Sequence, residues 1–443
     1  MKFNYNKYIG LVNIIVAIVY LIEYHYSYSH FVVDAYSYTG LDHKAENSIN
    51  YFLLVVFACL PLLFFRNIHN IASGFSFMSY VFIYIPFINT LFTSQIPNSL
   101  ALSYGLLFLF IMILFFLTDN VSVFRHSYIR RSSKPKIKYK VFEICVIFLF
   151  LILLFINRHN LGFFDMFAES DELYEFREGN ALVKSGGVLS IYLLLWTENV
   201  FLPILLVCSY LKKDLKFYFY LLAFVLMYMM TKTKVTLVMP FVMWGTLFLY
   251  RRHKEFIERF FHIVFIIILG ASSFFLCKQY EKDIIYTPFA TLLNYRIQSI
   301  EGAQLQRYIN FFEVNNNPYT YYSHIKVVNS ITHSYPYKES IGKTVAGNGS
   351  NSNATFLLMD GVAACGMIGC IVAAILFILI KSTLNPLMYR YKYFSLIVIL
   401  LYSFNSVINT SLFTSLVSFG LIIFYLIMRN VSFDALLYDS NTK

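Results

Sequence analysis

Charge is scarce in this chain of 443 residues, of which only 13% are Asp, Glu, Lys or Arg, against about 25% in soluble domains. With 58% hydrophobic residues as well, a water-soluble fold with a large apolar core is excluded. Cysteine is sparse and scattered. Cys59, Cys145, Cys208, Cys277, Cys365 and Cys370 all lie in or at the ends of apolar runs, and none sits in a CxxC pair, which argues against a disulfide framework or a zinc site. No P-loop, nucleophile elbow, dinucleotide fingerprint or metal-ligand spacing is present, and no cofactor is implied. Internal repeats and low-complexity tracts are lacking too. So is any cytoplasmic stretch able to form a nucleotide-sugar domain, and a donor must therefore reach the chain from the membrane. The first apolar run, ending at Tyr24, has no small-residue cleavage pattern after it and reads as a retained span.

What the chain has instead is apolar runs. About 20 apolar residues in helix cross the hydrocarbon, with every backbone polar group satisfied internally. That length predicts spans at Tyr8 to Tyr24, Ile49 to Phe65, Gly74 to Phe92, Leu100 to Thr118, Val141 to Ile156 and Val188 to Leu211. Six more are predicted at Phe217 to Met230, Val235 to Tyr250, Phe261 to Cys277, Ala354 to Ile380, Ser395 to Ile408 and Leu412 to Met428. The expected fold is all-α, a polytopic transmembrane bundle of about twelve spans forming a single membrane domain over 1–443.

The net charge of +11 resides in short connectors, where it orients a membrane chain rather than binding nucleic acid. With the N-terminus inside, inner segments hold 22 of the 35 basic residues and 6 acids, outer segments 13 basic residues and 14 acids. Both termini are thus expected in the cytoplasm of a bacterial-type plasma (inner) membrane. Two outer loops exceed a turn: 157–187, and 278–353 between spans nine and ten. Loops beyond about 15 residues are usually functional or disordered. Aromatic stretches in the second predict short helices on the membrane surface, forming a lid or part of an active site.

A carboxylate inside a span is costly and is a functional candidate by default. Asp360 lies in GNGSNSNATFLLMDGVAACGMIG, near the outer end of a span rich in small residues. A capping or structural role for it carries equal weight, and the glycines alone read as helix packing. Glu198, beside Asn199 and one turn before Pro203, reads as a contact to a partner helix. The outward cations Arg177, Lys232, Lys234, Arg296, Arg307, Lys326, Lys338 and Lys343 form a second set. Singly they read as partners of headgroups or nearby acids, and together as a cradle for a phosphate-bearing lipid. Of the histidines in the long loop, His324 and His333, either could act as a base toward a sugar hydroxyl, though exposed loop histidines are more often inert.

The NSNATFLLMDGVAACGMIG element, YEFREGN ahead of the span with Glu198, the basic TKTK turn (Thr231 to Lys234) and the outer loop with RIQSIEGAQLQRY together resemble the O-antigen and capsule repeat-unit polymerases, the Wzy family. That family often has arginine in the turn where this chain carries Lys232 and Lys234, and no arginine in either outer loop has glycine at the spacing of the RX10G motif. The resemblance implies a fold like that of other lipid-dependent, GT-C-type glycosyltransferases. It implies metal-independent transfer of a growing chain from its polyprenyl diphosphate onto a new lipid-linked unit at the outer face. Asp360 and His324 would be catalytic, and Arg177, Lys232, Lys234, Arg296, Arg307 and Asn353 would hold diphosphate and sugar. Membrane lipid, a chain-length regulator and a flippase would be the partners. An O-antigen ligase differs only in its acceptor, and a flippase or exporter of lipid-linked oligosaccharide would also have about twelve spans but related halves.

Overall fold

The computed structural model describes residues 5–36, 48–122, 137–162, 187–347 and 352–437. Among these, eight helices are long and apolar enough to cross a membrane: Ile9–Tyr36, Ile71–Thr93, Asn98–Leu117, Tyr139–Ile156, Leu189–Lys212, Lys254–Tyr280, Leu357–Tyr389 and Leu412–Asn430. Ser48–Leu63 and Lys216–Thr231 are shorter apolar helices. The protein is therefore an all-α, multi-pass membrane protein. Leu11, Ile22, Phe52, Phe110, Phe148 and Phe155, each about half exposed or more, stand on helices whose other faces are buried, as lipid-facing surfaces require.

The chain forms two compact units. The first comprises Met1–Val121, Arg259–Ser382 and Ile408–Leu412, the second Ser122–Glu258, Thr383–Val407 and Phe413–Lys443. In the second, Leu202–Lys212, Lys216–Thr231 and Lys234–Arg252 pack as neighbours together with Tyr393–Ile399. A two-residue parallel pairing, Ile137 with Val431 and Lys138 with Ser432, ties the start of the helix Tyr139–Ile156 to the end of the helix Leu421–Asn430. Glu198 lies in a π-helical turn, Thr197–Phe201, and is buried where it accepts a hydrogen bond from the Thr236 hydroxyl. The carboxylate thus meets a neighbouring helix of its own unit.

In the first unit the helix Ile71–Thr93 is nearly enclosed. At one end lies a buried ion pair. The Lys381 ammonium, wholly inaccessible, is 2.8 Å from Asp119 Oδ1 and donates to Ser76 Oγ at 2.8 Å and to the Phe115 carbonyl. Ser76 also donates to Asp119 at 2.6 Å.

The long loop departs from its expected form. Residues 287–314 are one uninterrupted run of helical and π-helical turns, and its middle packs against Ile85–Thr93. Ala303, Leu305, Tyr308, Ile309 and Phe312 are buried, but so are Asn294, Gln298, Glu301 and Gln304. These buried polar side chains make the segment read as a surface element in sequence. Of two shorter helices that follow, Lys326–Thr332 is mostly exposed, whereas Ile341–Ala346 buries Ile341, Gly342 and Val345.

The element predicted as a span from Ala354 to Ile380 is not one straight helix. Cys365 (φ −156°, ψ 33°) and Gly366 (φ 59°, ψ −136°) break it, and contacts on either side show the chain doubling back. Phe356 stacks on Phe377 at 4.8 Å, Cys370 Sγ donates to the Leu357 carbonyl at 3.3 Å, and Gly361 faces Gly369. A short arm thus lies antiparallel to a longer one. Gly366 supplies the left-handed φ of the tip. At Gly369 a Cβ would collide with the Gly361 carbonyl. The glycine-rich pattern is therefore close packing within one hairpin.

Candidate functional site

Breaking a helix frees carbonyls that must find donors. At the hairpin tip those of Ala363 and Ala364 accept from the Thr320 and Tyr321 amides at 2.8 and 2.9 Å. The long loop is thereby stitched onto the tip. Tyr321 (φ 47°) and Tyr322 (φ 65°) are consecutive left-handed residues, costly for bulky side chains. They turn the chain within four residues so that His324 returns to Thr320.

His324, with a side chain only 6% exposed, sits between two partners. Its Nδ1 is 2.8 Å from Thr320 Oγ1 and its Nε2 is 3.2 Å from Asp360 Oδ1. The fully buried Asp360 also takes the Ser411 hydroxyl on Oδ1 and the Leu412 amide on Oδ2, each at 2.6 Å. The carboxylate meets three hydrogen-bonding partners in a water-excluded position. The two candidate catalytic residues, 36 positions apart in sequence, thus stand in direct contact.

Two proton arrangements fit. In one, the Thr320 hydroxyl donates to Nδ1 and Nε2–H donates to Asp360, leaving a neutral imidazole. In the other, Thr320 donates to the Ala363 carbonyl 3.0 Å away, and both ring nitrogens carry protons against the carboxylate. The imidazole passes from the first to the second by gaining one proton, with only a hydroxyl rotation. A general base needs this capacity.

The other candidates divide between the units. Arg307 donates to Ser352 Oγ at 2.8 Å, next to exposed Asn353 on the approach to the hairpin. Exposed Arg296 lies 5.5 Å from the Tyr295 ring centre. Both belong to the unit that holds His324. Lys232 and Lys234 belong to the other. Lys232 ends its helix at φ 54° and, instead of projecting from a tip, is buried with its amine on the Gly162 and Met229 carbonyls. Burial lowers its pKa from the usual lysine range. Lys234 opens the next helix, half-buried. Arg177 and the acidic stretch around it lie outside the described residues. His333, exposed at the end of Lys326–Thr332, is separated from the His324 cluster by that helix. Among the described residues no three His, Cys, Asp or Glu side chains are placed to hold a metal ion.

Sequence reasoning overlooked Thr320 and Ser411, which position the dyad, and Glu301. Thr320 and Ser411 are ordinary hydroxyls until the fold brings them to the dyad. Glu301 lies on the 287–314 helix, which is not among the eight apolar ones. It is buried, with Oε2 on the Thr355 amide at 2.9 Å and Oε1 without a hydrogen-bond partner among the described residues. Burial pushes its carboxyl up to about 8 from the ordinary 4.5, with the Thr355 bond drawing it slightly back. A carboxyl with a raised folded-state value contributes stability that is complete below pH 4.5 and lost as pH rises through about 8. Glu301→Gln keeps the Thr355 bond without the charge. We expect it to raise the melting temperature above pH 8 and to flatten the melting curve's pH dependence between those limits, read by thermal unfolding of the purified protein.

Fold and cluster together define a multi-pass helical membrane protein with a histidine–carboxylate dyad clamped at the tip of a broken-helix hairpin. Comparison with family models, with curated proteins and with solved structures gives no match.

Proposed function

We propose that the chain is a polysaccharide polymerase, a metal-independent glycosyltransferase of the cell envelope. It joins polyprenyl-diphosphate-linked oligosaccharide repeat units at the outer face of a bacterial plasma membrane for O-antigen, capsule or exopolysaccharide. The observation that carries the reading is the His324–Asp360 contact within a chain whose motifs resemble the Wzy polymerases. In this reading the acceptor hydroxyl displaces Thr320 at Nδ1 and gives its proton to His324, while Asp360 holds the ring and balances the imidazolium. The acceptor oxygen bonds to the anomeric carbon, and that carbon's bond to the lipid diphosphate breaks, its electron pair leaving with the phosphate. Arg296 and Arg307, in the same unit as the dyad, supply positive charge for the departing group.

Twelve crossings with both termini cytoplasmic suit this chemistry. The eight long helices and two shorter ones account for ten. Lys234–Arg252 and the pair Tyr393–Ile399 and Leu401–Asn409 account for the rest. The hairpin tip and long loop then belong to the outer face.

Deleting the gene tests the reading. A polymerase leaves cells without polymer but with single repeat units still delivered to the surface. Lipid-linked units trapped on the cytoplasmic face would identify a flippase instead and end the polymerase reading.

A further inference from the structure

A second carboxylate stands beside the hairpin tip. Glu313, half-buried at the end of the 287–314 helix, accepts the Tyr104 hydroxyl at 2.5 Å and the Tyr319 hydroxyl at 3.0 Å, both on Oε1. No described residue donates to Oε2. A Cβ at Gly366 would stand 2.9 Å from Glu313 Oε1 and 3.0 Å from the Tyr319 hydroxyl, so the carboxylate lies against the tip itself.

Aromatic rings surround it. Tyr319 stacks on Phe312 at 5.8 Å, and Tyr321 lies 6.4 Å from Tyr319, edge to face. Tyr321 is 67% exposed. The adjoining residue, Thr320, contacts His324. The strained backbone at Tyr321 and Tyr322 therefore does two things: it turns His324 inward and presents the Tyr321 ring outward. Strain of this kind collects at functional sites.

The two tyrosine bonds fix the Glu313 carboxylate with one oxygen still able to accept. Aromatic faces offer flat apolar surface with polar edges. Sugar rings have the complementary character, with C–H faces that stack on aromatic rings and hydroxyls that donate to a carboxylate. An apolar ligand would leave Oε2 unsatisfied, and an anion would meet the Glu313 charge.

We propose that Tyr319, Tyr321 and Glu313 form a saccharide subsite that holds a sugar ring of the acceptor beside His324. Its position relative to the reaction rests on the polymerase reading, whereas its affinity for saccharide does not.

The test uses the purified full chain in nanodiscs on a printed panel of soluble bacterial oligosaccharides. The wild type retains a subset of them. Tyr321→Ala and Glu313→Gln each reduce that retention at least about tenfold, the scale of one lost stacking or hydrogen-bond contact. Tyr321→Phe, which keeps the ring face, retains binding and shows that the backbone turn survives. Retention by Tyr321→Ala and Glu313→Gln equal to wild type, or no retention by the wild type, overturns the subsite. Variant-sensitive retention by a chain that makes no polymer leaves the subsite standing and removes the polymerase reading. Polymer formation indifferent to Tyr321→Ala and Glu313→Gln does the reverse.

Discussion

Asp360→Asn is expected to lower polymer formation by about 10²–10⁴-fold, the range that a positioned acid–base group supplies. The carboxylate presents acceptors to the Ser411 hydroxyl, the Leu412 amide and His324 Nε2. An asparagine offers one acceptor oxygen and a donor NH2, so at least one of the three loses its partner, and the anion opposite the imidazolium is gone. Asp360 touches His324 and not substrate. Its loss is therefore expected in kcat, with the KM for acceptor changed by less than about threefold. A purely structural role would lower the amount of folded enzyme and leave kcat per folded molecule intact. Ser411→Ala provides the contrast: it removes one donor from Asp360 and leaves the His324 contact, with a drop in melting temperature and a kcat loss below about tenfold. Asp360→Asn enzyme with undiminished kcat would remove the dyad from the mechanism.

The largest effect on stability is expected at Lys381. Replacing it by Met leaves Asp119 buried without its counter-charge, a change that costs about 3–5 kcal/mol when one partner of a buried pair is removed. Burial pushes the Asp119 carboxyl up, and Lys381 draws it back, with Ser76 and His69 acting in the same direction. Lys381→Met is expected to melt far below wild type, and the Asp119→Asn, Lys381→Met double variant to recover most of the loss. The measurement is thermal unfolding in detergent across the four members of the cycle. A double variant no better than Lys381→Met would show that the pair is not coupled.

Much of the helical character was legible because apolar runs carry it directly: the helices Asn98–Leu117 and Tyr139–Ile156 coincide closely with runs visible in the sequence. The hairpin was not legible. Apart from Asp360 its two arms are apolar, so composition gives one long span, and the break at Cys365 and Gly366 is set by backbone angles that no local periodicity encodes. Helical structure over 287–314 was expected, but as short surface pieces, because Asn294, Gln298, Glu301 and Gln304 make a continuous buried helix read as a wet one. At the site, Asp360 announced itself as a charge among apolar residues. His324 was preferred to His333 only within the reading by resemblance, and tertiary structure sets it against Asp360 and leaves His333 exposed. Lys232 shows the limit of reading charge from sequence, because the same ammonium that suggests an anion site is turned onto backbone carbonyls.

Reconstitution in liposomes tests the function most directly. Purified chain is supplied with a lipid-linked repeat unit and the products are resolved by size. A ladder of oligomers with release of polyprenyl diphosphate, lost in Asp360→Asn, is the expected result. Movement of the unit across the bilayer without any ladder, or its transfer only to an added lipid A core acceptor, would contradict polymerase action.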